Sequence, residues 1–257
     1  MLVETQLFEK RDKVAEAIQM LKDLEPDEGY YVADSGGKDS DVIYALVHMA
    51  EVKADYHHNL TTIDPPDVIY HMRKNHPETQ IHRPEIPLLQ MMIKKGFPPL
   101  RQQRWCCELY KERGGQGRFV VTGIRAQEST KRAKRKMIEF CYRDRSIRYF
   151  NIIKNWTKDD VWEFHKKYNI SYCGLYDEGW DRIGCLMCPM AGKRRIIEAK
   201  RFPKYKKLFI KAFENLYNDR LAKGKPLKNW KNGEDFFYWW LNENKKKETP
   251  DQTVMFE

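Results

Sequence analysis

Apolar side chains recur at helical spacing over residues 5–24, where Leu7, Val14, Ala17, Ile18, Leu21 and Leu24 share one side, so the period predicts an amphipathic helix. Gly29-Tyr30-Tyr31-Val32-Ala33 is a short apolar run of strand length. Asp39 to Ala50 returns to helical spacing, with Val42, Ile43, Leu46 and Val47 turned inward. A second strand is predicted near 54–60, then a helix opening at Pro65-Pro66, where proline suits a first turn. Phe119-Val120-Val121-Thr122-Gly123 and Ile147-Arg148-Tyr149-Phe150-Asn151 read as further strands. Thr157-Lys158-Asp159-Asp160 reads as a helix start, with a hydroxyl cap and acids in the first turn. Strands alternating with helices predict an α/β fold built on a mostly parallel, doubly wound sheet covered on both faces. After residue 191 the pattern changes: Tyr205, Leu208, Phe209, Ala212, Phe213 and Leu216 recur at helical spacing, and a second aromatic cluster follows at 236–241. The predicted organisation is an α/β domain over 1–190 and a helical C-terminal appendage over 191–257, whose aromatics form its core rather than a base-stacking platform. Only 222–229 and 245–252 resemble linkers.

Composition narrows the class. A hydrophobic content of 41% over 257 residues supports a packed core. The longest apolar runs, such as Phe236-Phe237-Tyr238-Trp239-Trp240-Leu241, are far short of the roughly 20 residues of a membrane span, so no membrane association is expected. Glu4, Glu9 and Asp12 stand where a signal peptide needs basic and then apolar residues, so a cytoplasmic location is expected. The six cysteines are then read as thiols, ligands or catalysts before disulfides. The net charge of +10 is concentrated: residues 191–231 hold 14 Lys+Arg and 3 Asp+Glu, and residues 101–148 hold 14 and 5. Two basic segments on an acidic remainder point to an anionic partner, a nucleotide or a nucleic-acid backbone, reached through 101–148 and 191–231.

The most informative local segment is Asp34-Ser35-Gly36-Gly37-Lys38-Asp39-Ser40, where a predicted strand meets a predicted helix. Gly36 and Gly37 let the backbone turn tightly and approach a ligand, and the helix N-terminus adds free donors and partial positive charge. Lys38 adds a full charge, and Ser35 and Ser40 add hydroxyls, so the assembly suits a phosphate or pyrophosphate. The four-residue spacer of a Walker A loop is missing. A strand followed by Ser-Gly-Gly-Lys-Asp-Ser resembles the pyrophosphate-binding loop of the PP-loop ATP α-hydrolase superfamily, which cleaves ATP between its α and β phosphates.

Cys106-Cys107 and, after 77 intervening residues, Cys185-Leu186-Met187-Cys188 supply two pairs of thiolates, soft ligands for Zn²⁺ or an iron–sulfur cluster. Zinc more often uses two C-x-x-C knuckles, and the adjacent pair favours the cluster without excluding zinc. Cys141 and Cys173 read as ordinary thiols, and the seven histidines show no ligand spacing. The C-C and C-x-x-C pairs behind the glycine turn resemble the phosphoadenosine/adenosine phosphosulfate reductase family. Thr122-Gly123-Ile124-Arg125, Asn155-Trp156-Thr157 with Asp160-Val161-Trp162, and Ile183-Gly184-Cys185 match its further motifs in order, over roughly residues 25–195. The resemblance implies that Cys106, Cys107, Cys185 and Cys188 bind a 4Fe–4S cluster with Lys111 beside it. It also implies that Gly123 and Arg125 end a substrate-binding strand and that Asp64 corresponds to a family aspartate.

Two departures stand out. The reductases of the family carry a nucleophilic cysteine near the C-terminus, and the 69 residues after Cys188 hold none. Their glycine loop is generally degraded, whereas this one is intact and suits ATP. A smaller change puts Thr62-Ile63-Asp64-Pro65-Pro66 where the reductases tend to show Asp-Thr-Gly. The resulting expectation is an ATP pyrophosphatase of the DNA-phosphorothioation type, adenylating an acceptor and transferring sulfur to a nucleic acid with help from a sulfur or electron donor protein. Lys38 and Mg²⁺ would neutralise pyrophosphate, Arg125 and Lys134 or Arg135 would clamp the α-phosphate or the acceptor, and Asp39 and Asp64 would hold Mg²⁺ or ribose. The alternatives are a sulfonucleotide reductase and a non-catalytic nucleotide- or nucleic-acid-binding subunit.

Overall fold

Val3–Thr5 (β1) and Lys10–Asp12 (β2) pair antiparallel where the apolar period predicts the first turns of a helix. Helix α1, Lys13–Asp23, starts later because the Asp12 carboxylate accepts from the Val14 and Ala15 amides at 2.9 and 3.1 Å and so caps it. The computed structural model describes residues 1–5 and 10–242, so Leu7 and the segment 245–252 lie outside the described residues. The chain divides into two units. The first is Met1–Leu60, Asp64–Arg83 and Arg113–Gly184, and the second is Thr61–Ile63, Pro84–Glu112 and Cys185–Glu257. This differs from a boundary at 190/191, because residues 84–112 and 185–190, with all four paired cysteines, run with the C-terminal helices.

After α1 the order is β3 (Tyr30–Ala33), α2 (Lys38–Ala50), β4 (Ala54–Asn59), α3 (Pro66–Asn75), β5 (Gln80–His82) and α4 (Leu88–Lys95). Then come β6 (Phe119–Val121), α5 (Thr130–Ala133), β7 (Ile138–Phe140), β8 (Arg148–Phe150), α6 (Lys158–Lys167), α7 (Arg194–Arg201), α8 (Pro203–Ala222) and α9 (Gly233–Leu241). All six strands from β3 to β8 belong to the first unit and form one sheet in the order β5-β4-β3-β6-β8-β7. Every neighbouring pair is parallel except β7 with β8 at the edge.

Alternation along the strands sends Tyr30, Val32, Phe119, Val121 and Phe150 to one face, where they pack with Leu21 of α1, Leu46 of α2 and Val161 and Phe164 of α6. Burying each such side chain stabilises the fold by about 1.5–3 kcal/mol. Tyr31, Val120 and Ile147 form a smaller cluster on the other side. The order reverses between β3 and β6, and in open α/β sheets the crevice outside the strand ends at such a reversal is where ligands bind.

In the second unit α8 packs against α4, α7 and α9. Phe209 and Phe213 lie 5.5 and 5.2 Å from Trp240 between ring centroids, so the aromatic periodicity is core, as expected. Leu208, Tyr238 and Trp239 are exceptions, exposed to solvent. Among the described residues no helix is long and apolar enough to cross a membrane.

Candidate functional site

The glycine turn follows β3 at the reversal of strand order, and its local geometry explains the two glycines. Gly36 has φ +64°, and a Cβ there would sit 2.6 Å from Val68 Cγ1 and 2.7 Å from Met72 Sδ. Only glycine fits both the backbone and the space. Gly37 caps α2 and hands the turn to the helix N-terminus. The turn's amides are not bare, contrary to the sequence expectation. The Gly36 N–H donates to Asp34 Oδ1 at 2.9 Å, the Gly37 N–H to Ser40 Oγ at 3.0 Å, and the Lys38 N–H to the Tyr176 hydroxyl at 3.0 Å. Ser35 Oγ in turn donates to Ser40 Oγ at 3.2 Å. The protein's own oxygens therefore stand where phosphate oxygens were expected, because a buried N–H must find an acceptor.

Lys38 is likewise not solvent-facing. It is 4% exposed, and its Nζ donates to Asp39 Oδ2 at 2.8 Å. The other oxygen of Asp39 accepts from Arg125 Nε at 2.6 Å, and Arg125 is also 4% exposed. Arg125 reaches Asp39 because the chain leaves β6 at Gly123, whose missing Cβ would lie 3.0 Å from the Asp39 carbonyl carbon and oxygen. The structure thus joins Ser35, Gly36, Gly37, Lys38, Asp39, Ser40, Gly123 and Arg125 into one constellation of two cations sharing one carboxylate. Asp64 lies in the same unit and is buried.

Helix α6 frames this group. Thr157 and Asp160 form a reciprocal cap, and Asp160 Oδ2 accepts from Lys13 Nζ at 2.8 Å. Burial alone would raise Asp160, but Lys13, the N-terminal ammonium 2.7 Å from Oδ1 and the Thr157 contacts hold its pKa down at about 2. His165 of α6 lies 2.8 Å from the Lys38 carbonyl oxygen. Trp162 meets Tyr176 edge to face at 5.3 Å and so fixes the ring whose hydroxyl covers the Lys38 amide.

Sequence reasoning did not assign roles to Tyr176, Asp34 or His76. Asp34 Oδ2 accepts from His76 Nδ1 at 2.7 Å and from the Thr79 hydroxyl at 2.8 Å. Burial would raise Asp34, yet these partners and the Gly36 amide hold its carboxyl below the usual carboxylate range. Asp34 could have been found from its place at the end of a strand just before the turn; Tyr176, 138 residues from Lys38, carries no local signal.

The four cysteines line one cavity in the second unit, together with Thr61, Lys111, Leu88 and Trp240. Cys107–Lys111 widens into a turn whose Glu112 N–H reaches back to the Cys107 carbonyl at 2.9 Å, an i→i+5 geometry that turns up at functional sites. In the second pair Met187 has φ +54°, and its strained turn is gripped at both ends. Its N–H donates to Glu198 Oε2 and its carbonyl accepts from Arg195 Nε at 3.1 Å. The Cys185 thiol donates to Thr61 Oγ1 at 3.4 Å. A hydrogen bond from Cys106, with Lys111 and Arg104 nearby, lowers the Cys107 thiol despite burial, while the same contact and burial push Cys106 up. Among the described residues no three of these sulfurs close to within 4.8 Å of one another.

Comparison with known proteins follows the same lines. The family model of the phosphoadenosine phosphosulfate reductase domain matches residues 29–191. An adenosine 5'-phosphosulfate reductase of Oceanobacillus iheyensis is 31% identical over 130 residues, covering 48% of this chain and 54% of that protein. One of Staphylococcus haemolyticus is 28% identical over 160 residues, covering 58% and 63%. The chain thus spans less than two thirds of these relatives. The crystal structure of the phosphoadenylyl-sulfate reductase of Candida auris in a phosphate complex shares the fold, with a TM-score of 0.53 at 20% identity over 67% of this chain and 87% of that one.

Proposed function

Because the chain belongs to the phosphoadenosine phosphosulfate reductase domain family, we propose that it cleaves ATP between the α and β phosphates to activate an acceptor for sulfur transfer. An acceptor oxygen attacks the α-phosphorus, the bond to the bridging oxygen breaks, pyrophosphate leaves with the electron pair, and the acceptor's proton passes to solvent. A sulfur nucleophile then displaces AMP from the acceptor.

The observation that carries this reading is Asp39 held by Lys38 on one oxygen and Arg125 on the other, at the reversal of strand order. Two buried cations sharing one carboxylate leave a net positive charge, and turning either toward a phosphate oxygen exchanges one charged acceptor for another at low cost. Lys38 would then neutralise the leaving pyrophosphate and Arg125 the α-phosphate. Asp39, released, would become available to Mg²⁺. Tyr176 must withdraw from the Lys38 amide for the turn to receive a phosphate oxygen.

Four thiols lining one cavity, in an adjacent pair and a C-x-x-C pair, support an iron–sulfur cluster. A 4Fe–4S cluster held by Cys106, Cys107, Cys185 and Cys188 would carry sulfur or position the acceptor. Lys111, exposed beside Cys107, would balance its negative charge. Exposed Lys131, Lys134 and Lys136, and in the second unit Lys193, Lys200, Lys204, Lys207 and Lys211, suit the phosphates of a nucleic-acid acceptor.

A sulfonucleotide reductase is the second reading, favoured by the named activity of the Oceanobacillus and Staphylococcus relatives. Anaerobically purified protein with Mg²⁺ should release pyrophosphate from ATP, and DNA or RNA should stimulate it. Sulfite release from a sulfonucleotide with a thiol reductant, without ATP cleavage, would replace the first reading by the second.

A further inference from the structure

Asp41, His71 and His76 gather beneath the glycine turn in the first unit, all three buried and none part of the nucleotide reading above. The geometry points to a mononuclear site for a divalent transition-metal ion of the zinc class, ligated by Asp41, His71 Nε2 and His76 Nε2, with a fourth position open to water.

His71 Nε2 lies 3.1 Å and His76 Nε2 3.4 Å from Asp41 Oδ1, and the three donor atoms all fall within 4.8 Å of one another. An ion bound at about 2.0–2.1 Å sets its tetrahedral donors about 3.3–3.4 Å apart, so the side chains need little movement to accept one. The second Asp41 oxygen, Oδ2, is fully buried with no hydrogen-bond partner, a costly state that a cation would relieve.

The outer contacts are those of a metal-bound imidazole. His76 Nδ1 donates to Asp34 Oδ2 at 2.7 Å, the carboxylate–histidine arrangement that orients such ligands, and the ring stacks on Tyr44 at 4.0 Å. The Asn75 amide nitrogen lies 2.9 Å from His71 Nδ1 and donates to the His71 carbonyl at 3.0 Å, which fixes that ring from its outer side. A cavity of about 430 Å³ lined by Asp41, Tyr44, Asn75 and His76 leaves room for water at the open position. Two imidazoles and one carboxylate select a borderline transition ion over Mg²⁺ or Ca²⁺, which prefer all-oxygen shells. Without the ion, protons shared between the imidazoles and Asp41 hold the same atoms together; entry of the ion displaces them to solvent. The ion would tie α2 to α3 and, through Asp34 and the Gly36 amide, brace the turn.

The test uses Co²⁺ as the probe, in full-length protein carrying Cys106→Ser, Cys107→Ser, Cys185→Ser and Cys188→Ser so that the thiolate site is silent. One equivalent of Co²⁺ should bind, giving the visible bands of a four-coordinate ion without thiolate charge transfer. Asp34→Asn should weaken binding by about 10–100-fold, the usual effect of losing an outer carboxylate. Asp41→Asn and His71→Gln should abolish it, with circular dichroism showing that they fold. If they do not fold, paramagnetically shifted, exchangeable imidazole N–H signals in the otherwise unsubstituted site give the same answer; two are expected. No stoichiometric uptake, binding unchanged by Asp41→Asn and His71→Gln, or no shifted imidazole signals would overturn the proposal. ATP cleavage is not read, so these outcomes stand apart from the nucleotide reading.

Discussion

Lys38 and Arg125 were legible as cations near a phosphate, but their present partner was not. Both now hold Asp39, and the turn's amides are held by Asp34, Ser40 and Tyr176. The glycines were legible because only they satisfy a turn with φ +64° against Val68 and Met72. Tyr176 was not, since a hydroxyl arriving from 138 residues away leaves no mark on the local pattern. Gly36→Ala should cost about 2–3 kcal/mol through left-handed backbone and overpacking, read as a lower urea midpoint with unchanged slope. An unaltered midpoint would mean that the turn relaxes freely. Tyr176→Phe removes the acceptor on the Lys38 amide. It should tighten binding of a non-hydrolysable ATP analogue by about 2- to 10-fold in calorimetry, because the nucleotide no longer displaces an internal hydrogen bond. Weaker binding would show that the hydroxyl holds the nucleotide instead of guarding the turn.

At the scale of elements, those with a clear apolar pattern, such as β3, α2 and α8, stand where that pattern puts them. The differences have local causes. Residues 3–5 pair with 10–12, and the Asp12 cap delays α1. The three-residue strands β5 and β7 are too short to show a period, and their neighbours β4 and β8 dictate them. The Trp-Thr motif at 156–157 is legible as a helix start, but its Asp160 does more than cap, since it also accepts from the buried Lys13 of α1. Its pKa lies at about 2 folded against about 4 unfolded, so its contribution is complete above pH 4 and is lost as pH falls through 2. That contribution is about 2 kcal/mol. Denaturant unfolding should therefore show stability falling from pH 5 to pH 2, and Asp160→Asn should flatten that slope while lowering stability at pH 7. An identical slope in the variant would assign acid sensitivity to other carboxylates.

For the whole molecule, the α/β class and the helical C-terminal region follow from alternation and aromatic spacing, and the family from motifs spread over both units. The division into units does not, because a discontinuous unit that collects 61–63, 84–112 and the chain from 185 leaves no compositional edge. Charge was legible as a total and only partly as a surface: Arg195, in the most basic segment, is 1% exposed and stacks on Trp240 at 4.2 Å. The remaining exposed lysines should give nucleic-acid binding that weakens by about 10-fold or more between 50 and 200 mM salt in an anisotropy titration. Salt-independent binding would argue against a phosphate-tracking surface.

The most direct test of the central claim compares pyrophosphate released from ATP and Mg²⁺ by the anaerobic protein and by its Lys38→Ala variant, with folding verified by circular dichroism. The account expects steady release by the unsubstituted protein and near-complete loss in the variant. Equal release from both, or none from either across DNA, RNA and small-molecule acceptors, would contradict it.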